Sequence, residues 1–287
     1  MTRPLLPGSV RAAANRFRSD GTAMFGLIVI LVTLIAAVCA PLIGRYDPNA
    51  TNLDEVMRAP SGSHWLGTDE LGRDVFTRLL YGAQTSLTVG LGAVALSVLV
   101  GMIIGAVAGY AGGFVDGVMM RLTDIALSIP PLLMGIVFVA ILGPSTTSVI
   151  IVIAALSWPS FARLVRGEVL RVRGSDYVLA SQIAGTRRLR ILTGHVLPNI
   201  MGPVTVAFGL GIGTAVLTEA GLSFLGLGVR PPQASWGGMV TSALSPEVLQ
   251  NAKWIWLPPA GMIGLLVLAA TFVGDGLLRA VDPRTQS

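Results

Sequence analysis

Two histidines, one cysteine and fifteen acids are what this 287-residue sequence offers for catalysis or metal binding, and their spacing supports neither. His64 and His195 fall on opposite sides of the topology derived below, so they cannot share a zinc ion within one chain. Cys39 sits alone in an apolar run, with no second thiol for a disulfide or a cluster. The only lysine, Lys253, is followed by Trp254, which excludes the G-x-x-x-x-G-K-[ST] phosphate loop. There is no G-x-S-x-G, and neither histidine lies in an apolar span where it could serve an intramembrane serine protease. The expectation is a non-catalytic chain with no metal site and no cofactor of its own.

Pattern is concentrated instead in one polar insert between apolar runs, from Asp176 to Asn199. Tyr177, Val178, Ala180, Ile183 and Ala184 recur at helical spacing, and Asp176 stands where an N-cap or first-turn acid belongs. Gly185 should break this helix. Arg187, Arg188 and Arg190 then interleave with Leu189, Ile191 and Leu192, which predicts a second short amphipathic helix ending before Pro198. These residues alone also fit an ordinary loop with a solvated basic face.

The spacing of Leu179-Ala180-Ser181, Gly185 and Leu197-Pro198 resembles the EAA loop of ABC-importer permeases: Glu-Ala-Ala, three residues, Gly, nine residues, an apolar residue, one residue, Leu-Pro. Tyr177-Val178 and His195-Val196-Leu197-Pro198-Asn199 are similar to the dipeptide, oligopeptide and nickel branch, within it the C-type permease subunit. Leu179 replaces the family's Glu and His195 its Ile. The resemblance implies a loop that couples to an ATPase through Asp176, Tyr177, Val178, Leu179, Ala180, Ser181, Ile183, Ala184, Gly185, Arg187, Leu197 and Pro198. It also implies a second homologous permease, two ABC ATPase subunits that bind ATP and Mg, and an extracytoplasmic substrate-binding protein. Peptide is the implied cargo; nickel or another small solute is the alternative.

The rest of the chain must hold that insert, and it is built for lipid. Hydrophobic residues make up 53% and charged residues 12% of the sequence, and a mean hydropathy of +0.73 points to an all-α multispan membrane protein. A helix needs about 20 apolar residues to cross about 30 Å of hydrocarbon. Six stretches qualify: 24–43, 87–109, 125–142, 146–161, 200–218 and 254–273. Fourteen of the twenty basic residues, including the seven between Arg163 and Arg190, fall on one side of this topology. By the positive-inside rule that side, with the insert and both termini, is cytoplasmic. The bases do not gather into a stripe with aromatics, so nucleic acid is not an expected partner. One lysine against nineteen arginines suggests a high-GC bacterial source, hence a bacterial plasma membrane. The expected layout is a cytoplasmic tail over 1–23, a first span over 24–43, an extracytoplasmic segment over 44–84, a five-helix core over 85–280 with its coupling loop at 164–199, and a short tail over 281–287.

Several features invite specific roles. Ala93, Ser97, Gly101, Gly105 and Gly109 form a small-residue stripe that predicts close helix packing, either inside the bundle or against another subunit. Thr68-Asp69 reads as a cap for an interfacial helix leading into the second span, and Arg73 and Asp74 as a local contact. Arg121 and Asp124 are placed for a local ion pair. Pro130-Pro131 and Trp158-Pro159 predict kinks. The block from Glu219 through Ser223, Phe224 and Gly228 to Trp236, like Leu-Gly-Thr-Asp, Gly-Arg-Asp and Tyr-Gly between Leu66 and Gly82, is again similar to the peptide-permease C subunit. We expect Glu219, Ser223, Phe224 and Trp236 near an outer gate, where Glu219 could meet a substrate ammonium or an arginine of a partner, or simply reach up to water. An ion-coupled secondary transporter would need acids deep in a span and an inverted repeat, and neither is evident.

Overall fold

The computed structural model describes residues 14–281, and its regular elements are helices apart from one isolated bridge between Thr68 and Asp74. Among the described residues five helices are long and apolar enough to cross a membrane, or six if a bent pair counts as one span. The ends of both expected tails, residues 1–13 and 282–287, lie outside this description.

Helix α1 (Gly21–Val38) starts at Asp20, whose carboxylate accepts from the Thr22 and Ala23 amides. The Thr22 hydroxyl, the Ala23 amide and then Arg279, 2.7 Å away, hold that carboxyl down at about 2, so the cap stays ionised at any physiological pH. The expected first span is interrupted: Cys39 ends α1, and a separate turn, Ala40–Ile43, follows with Pro41 as its second residue.

Helix α2 (Val75–Ala111) is a single rod of 37 residues, about 55 Å at 1.5 Å per residue. Its cap is Asp74, which accepts from the Thr77 amide at 2.7 Å. The expected helix leading into the second span is the start of α2 itself, and its cap is Asp74, not Thr68-Asp69. The Thr68 hydroxyl donates to the Glu55 carbonyl. Asp69 accepts from the Leu71 and Arg73 amides and from Arg73 Nε at 2.7 Å. Arg73 therefore pairs with Asp69 and not with its neighbour, while Asp74 pairs with the buried His64 ring at 2.8 Å.

Helices α3 (Gly113–Ser128) and α4 (Pro131–Leu142) replace the single, kinked span expected over 125–142. They are bent by 93°, because Pro130 drives Ile129 out of the helical region into extended backbone (φ −88°, ψ 129°). Helix α5 (Thr146–Arg173) runs on through the buried Pro159. It takes up the acids of α3: Arg163 meets Asp124 at 2.5 Å and Arg166 meets Asp116 at 2.5 Å. The expected Arg121–Asp124 pair is thus replaced by bridges between helices.

Helix α6 (Asp176–Ile183) is the insert's first helix. Helix α7 (Leu197–Phe224) follows, then the short α8 (Trp236–Val240) and α9 (Lys253–Val281). The small-residue stripe resolves to internal packing. A Cβ on Gly101 would come within 2.5 Å of Phe161 Cβ, one on Gly105 within 2.4 Å of the Ala162 carbonyl and one on Gly109 within 3.0 Å of the Arg166 carbonyl. Helices α2 and α5 therefore meet backbone to backbone, the contact that apolar surroundings favour where no hydrophobic drive exists between helices.

Candidate functional site

Helix α6 is held by one side chain. Val178 is fully buried in a cluster with Val169 and Val172 of α5, Ala106 of α2, Val196, and Ile200 and Val204 of α7. Ile191 and Val196 of the insert are buried in the same cluster, whereas Tyr177, Leu179, and above all Ile183 and Leu189, which are 88% and 71% exposed, face outward. Leu179, in the place of the family's Glu, widens this apolar face. Ser175 is the N-cap and Asp176 the first helical residue.

The stop after α6 is local and complete. Ala184 caps the helix, and Gly185 enters the left-handed region (φ +78°). The Gly185 amide donates to the Gln182 carbonyl at 3.0 Å and the Thr186 amide to the Ser181 carbonyl at 3.1 Å, the paired bonds of a Schellman motif. Beyond it the structure departs from expectation. Arg188–Ile191 is one helical turn, and it runs without interruption through a π-helical segment, Leu192–Val196, into α7. Pro198 therefore does not close a helix: it stands just past the π-helical segment, at the start of α7. The second arm of the knuckle is the root of α7 itself. His195 lies in the π segment with its carbonyl accepting from Asn199 Nδ2 at 2.6 Å. Between the arms a cleft of about 610 Å³ is lined by Tyr110, Arg173, Gln182, Thr186, Arg188 and Leu192, among others, and Arg173 closes its upper edge by donating to the Tyr110 carbonyl at 2.9 Å.

At the other end of α7, Glu219 is not at an open mouth. It is 0% exposed, and accepts from Ser223 Oγ at 2.7 Å and from Ser86 Oγ on α2 at 3.2 Å. Ser86 Oγ in turn accepts from the Trp236 amide at 3.1 Å, and Trp236 Nε1 donates to the Leu79 carbonyl at 3.0 Å. Ser223 and Trp236 are buried with it, and Phe224 alone of the expected gate residues is exposed. The four residues form a joint among α2, α7 and α8. Its members come from three segments distant in sequence, and no local pattern announces it. Glu219→Gln should keep the Ser223 bond but turn an NH₂ toward Ser86, whose hydroxyl then loses its acceptor. We expect about 1 kcal/mol lower stability, measured by thermal unfolding of the purified chain; an unchanged midpoint would mean that Glu219 does not hold this joint.

Comparison with known proteins supplies the frame for this geometry. Residues 101–287 match the family model described as binding-protein-dependent transport system inner membrane component. Residues 10–60 match the N-terminal TM domain of oligopeptide transport permease C. The oligopeptide transport system permease protein OppC of Bacillus subtilis is 43% identical over 272 residues, 95% of this chain and 88% of that protein. The dipeptide transport system permease protein DppC of Alkalihalophilus pseudofirmus is 40% identical over 277 residues, 96% and 90% of the two chains. Among solved structures, a chain of the MetNI methionine ABC transporter in an inward-facing conformation superposes with a TM-score of 0.60 at 18% identity, covering 71% of this chain and 96% of that one, which establishes a shared fold.

Proposed function

This chain belongs to the family of binding-protein-dependent transport system inner membrane components, and on that premise we propose that it is a transmembrane subunit of an ATP-driven importer of di- or oligopeptides. It spans the bacterial inner membrane with the knuckle of α6 and its termini in the cytoplasm. With a second, homologous permease it encloses the pathway, while two ABC ATPase subunits bind and hydrolyse ATP with Mg below and a separate binding protein delivers peptide from outside.

The observation that carries this reading is the unpartnered apolar face of α6, fixed between two membrane helices. Burying a side chain of the size of Ile183 or Leu189 is worth about 1.5–3 kcal/mol, enough for a groove on an ATPase to grip this knuckle. Coupling then follows from how α6 is rooted. Its one buried anchor, Val178, packs on Val172 of α5 and on the segment that runs from Ile191 into α7, so a push on α6 moves both helices together. Packed interiors transmit such shifts as rigid displacements.

Copurification of the tagged chain should bring down a second permease, ATPases and a binding protein. In vesicles that assembly should take up tripeptides only with ATP inside the ATPase compartment. Uptake driven by an ion gradient without ATP would replace this reading with a secondary carrier. A thiol placed at Thr186 should be labelled from the cytoplasmic side only; labelling from outside intact cells would put the knuckle where no ATPase can reach it.

A further inference from the structure

A concave cleft of about 410 Å³ opens between α5 and α7, with Val94 of α2 and Pro131 of α4 in its lining. Four hydroxyls line it, Ser157 and Ser160 from α5 and Thr214 and Thr218 from α7, and no acidic or basic side chain does. Phe161 is also in its wall, packed where Gly211 leaves space: a Cβ on Gly211 would meet the ring at 3.1 Å. Resting on the proposed import function, we infer that this cleft is the chain's half of the translocation pathway and that its hydroxyls read the main chain of the passing peptide, independently of side-chain charge.

Depth comes first. Thr214 lies ten residues from the end of α7 at Phe224, and Ser157 eleven from the start of α5 at Thr146. At 1.5 Å per residue both stand about 15 Å inside their helix ends, near the middle of a hydrocarbon layer about 30 Å thick. Polar side chains gathered at that depth in a concavity mark a route for polar solutes. Hydrogen-bonding capacity comes second. The Thr214 hydroxyl donates to the Leu210 carbonyl at 2.9 Å and the Thr218 hydroxyl to the Thr214 carbonyl at 2.8 Å. With their protons committed to their own helix, both oxygens are left as acceptors for an N–H in the cleft. Spacing comes third. Four residues of helix separate the two threonines, about 6 Å along the axis, close to the roughly 6.6 Å at which an extended chain repeats its N–H groups on one side. An extended peptide is therefore the occupant whose repeat fits. Charge comes last: a fixed charge here would hold peptides of opposite sign and repel the rest, whereas uncharged acceptors treat all alike. The cleft is also joined to the motor, because its two walls are the helices whose other ends grip α6.

The test uses the whole reconstituted complex and three probes, Ala-Ala-Ala, Ala-Lys-Ala and Ala-Glu-Ala. In the double variant Ser157→Ala with Thr214→Val, uptake of all three should fall about tenfold, as two hydrogen bonds worth a few-fold each are lost, with their ratios kept within about twofold. Thr214→Asp should instead create discrimination, shifting the ratio of Ala-Lys-Ala to Ala-Glu-Ala by about tenfold or more. Thr214→Cys in a Cys39→Ser background gives a readout that does not depend on transport: the thiol should react with a membrane-impermeant reagent and be protected by excess tripeptide. A thiol that never reacts means that lipid or a helix of the second permease fills the cleft, and overturns the inference. So does an unchanged ratio in Thr214→Asp, or unchanged uptake in the double variant, while the parent complex still transports. If the unsubstituted complex moves no peptide under ATP, the import function itself falls and the inference with it.

Discussion

Gly185→Val should leave an assembled complex that still hydrolyses ATP but takes up peptide at least about tenfold more slowly. The reason is conformational, because a Cβ at this position meets nothing within 4 Å. Gly185 sits at φ +78°, where a left-handed backbone costs an L-residue about 1–2 kcal/mol and a β-branched one more. Valine would therefore abandon that geometry. The two bonds that close α6, from the Gly185 and Thr186 amides, would go with it, and so would the fixed angle between α6 and the turn Arg188–Ile191. About 1.4 kcal/mol in a productive geometry already amounts to tenfold. Asparagine tolerates the left-handed region, so Gly185→Asn should restore most of the uptake. The pair of variants separates backbone conformation from loss of a contact: if valine and asparagine behave alike, or if valine couples ATP turnover to uptake normally, a rigid knuckle is not how force reaches α5 and α7.

The features of this chain that could be read from sequence are those set by near neighbours. Gly185 ends α6 because the bonds of the stop are made within six consecutive residues, Ser181 to Thr186, and the spacing from Leu179 to Pro198 is equally local. Long uncharged runs likewise place α2, α5, α7 and α9. What escaped depends on distance or on single dihedrals. The run 125–142 carries no charge, so hydropathy joins what Pro130 divides: Pro130-Pro131 announces a kink, but not a turn of 93° that starts a separate helix. Thr68 reads as a cap because its role lies elsewhere, on the Glu55 carbonyl thirteen residues back. Glu219 reads as an acid at a mouth because the serine that buries it, Ser86, is 133 residues away. Likewise Asp116 and Asp124 find arginines on α5, not on their own helix. The four hydroxyls of the cleft are scattered among apolar neighbours in two spans, and only the packing of α5 on α7 gathers them.

Gly105→Leu tests the contact on which that packing depends, and it should yield little folded protein. Two effects oppose each other. Leucine is the better helix former, by somewhat less than the roughly 0.8–1 kcal/mol that separates alanine from glycine in a helix interior. Against this, its Cβ would lie 2.4 Å from the Ala162 carbonyl oxygen and 2.8 Å from Val165 Cβ, about 1 Å inside ordinary contact. The obstacle at 2.4 Å is backbone and cannot rotate away, so α2 and α5 must separate. Overpacking of this kind typically costs 1–3 kcal/mol and sometimes more. Here the cost spreads, because Gly101 and Gly109 touch the same helix one turn to either side, and a gap of 0.5–1 Å forfeits a quarter to a half of each dispersion contact. Arg173, which bridges α5 to the Gly109 and Tyr110 carbonyls, would be drawn off as well, loosening the floor on which α6 stands. The clash therefore outweighs the propensity gain. Gly105→Ala carries the same Cβ without the rest of the side chain and should lower the thermal midpoint of the detergent-purified chain by a smaller amount. Gly117→Leu on α3, where a Cβ meets nothing within 4 Å, should leave that midpoint in place. Equal midpoints for Gly105→Leu and Gly117→Leu would mean that α2 and α5 are not in backbone contact, and the line of force from α6 through α5 would lose its support.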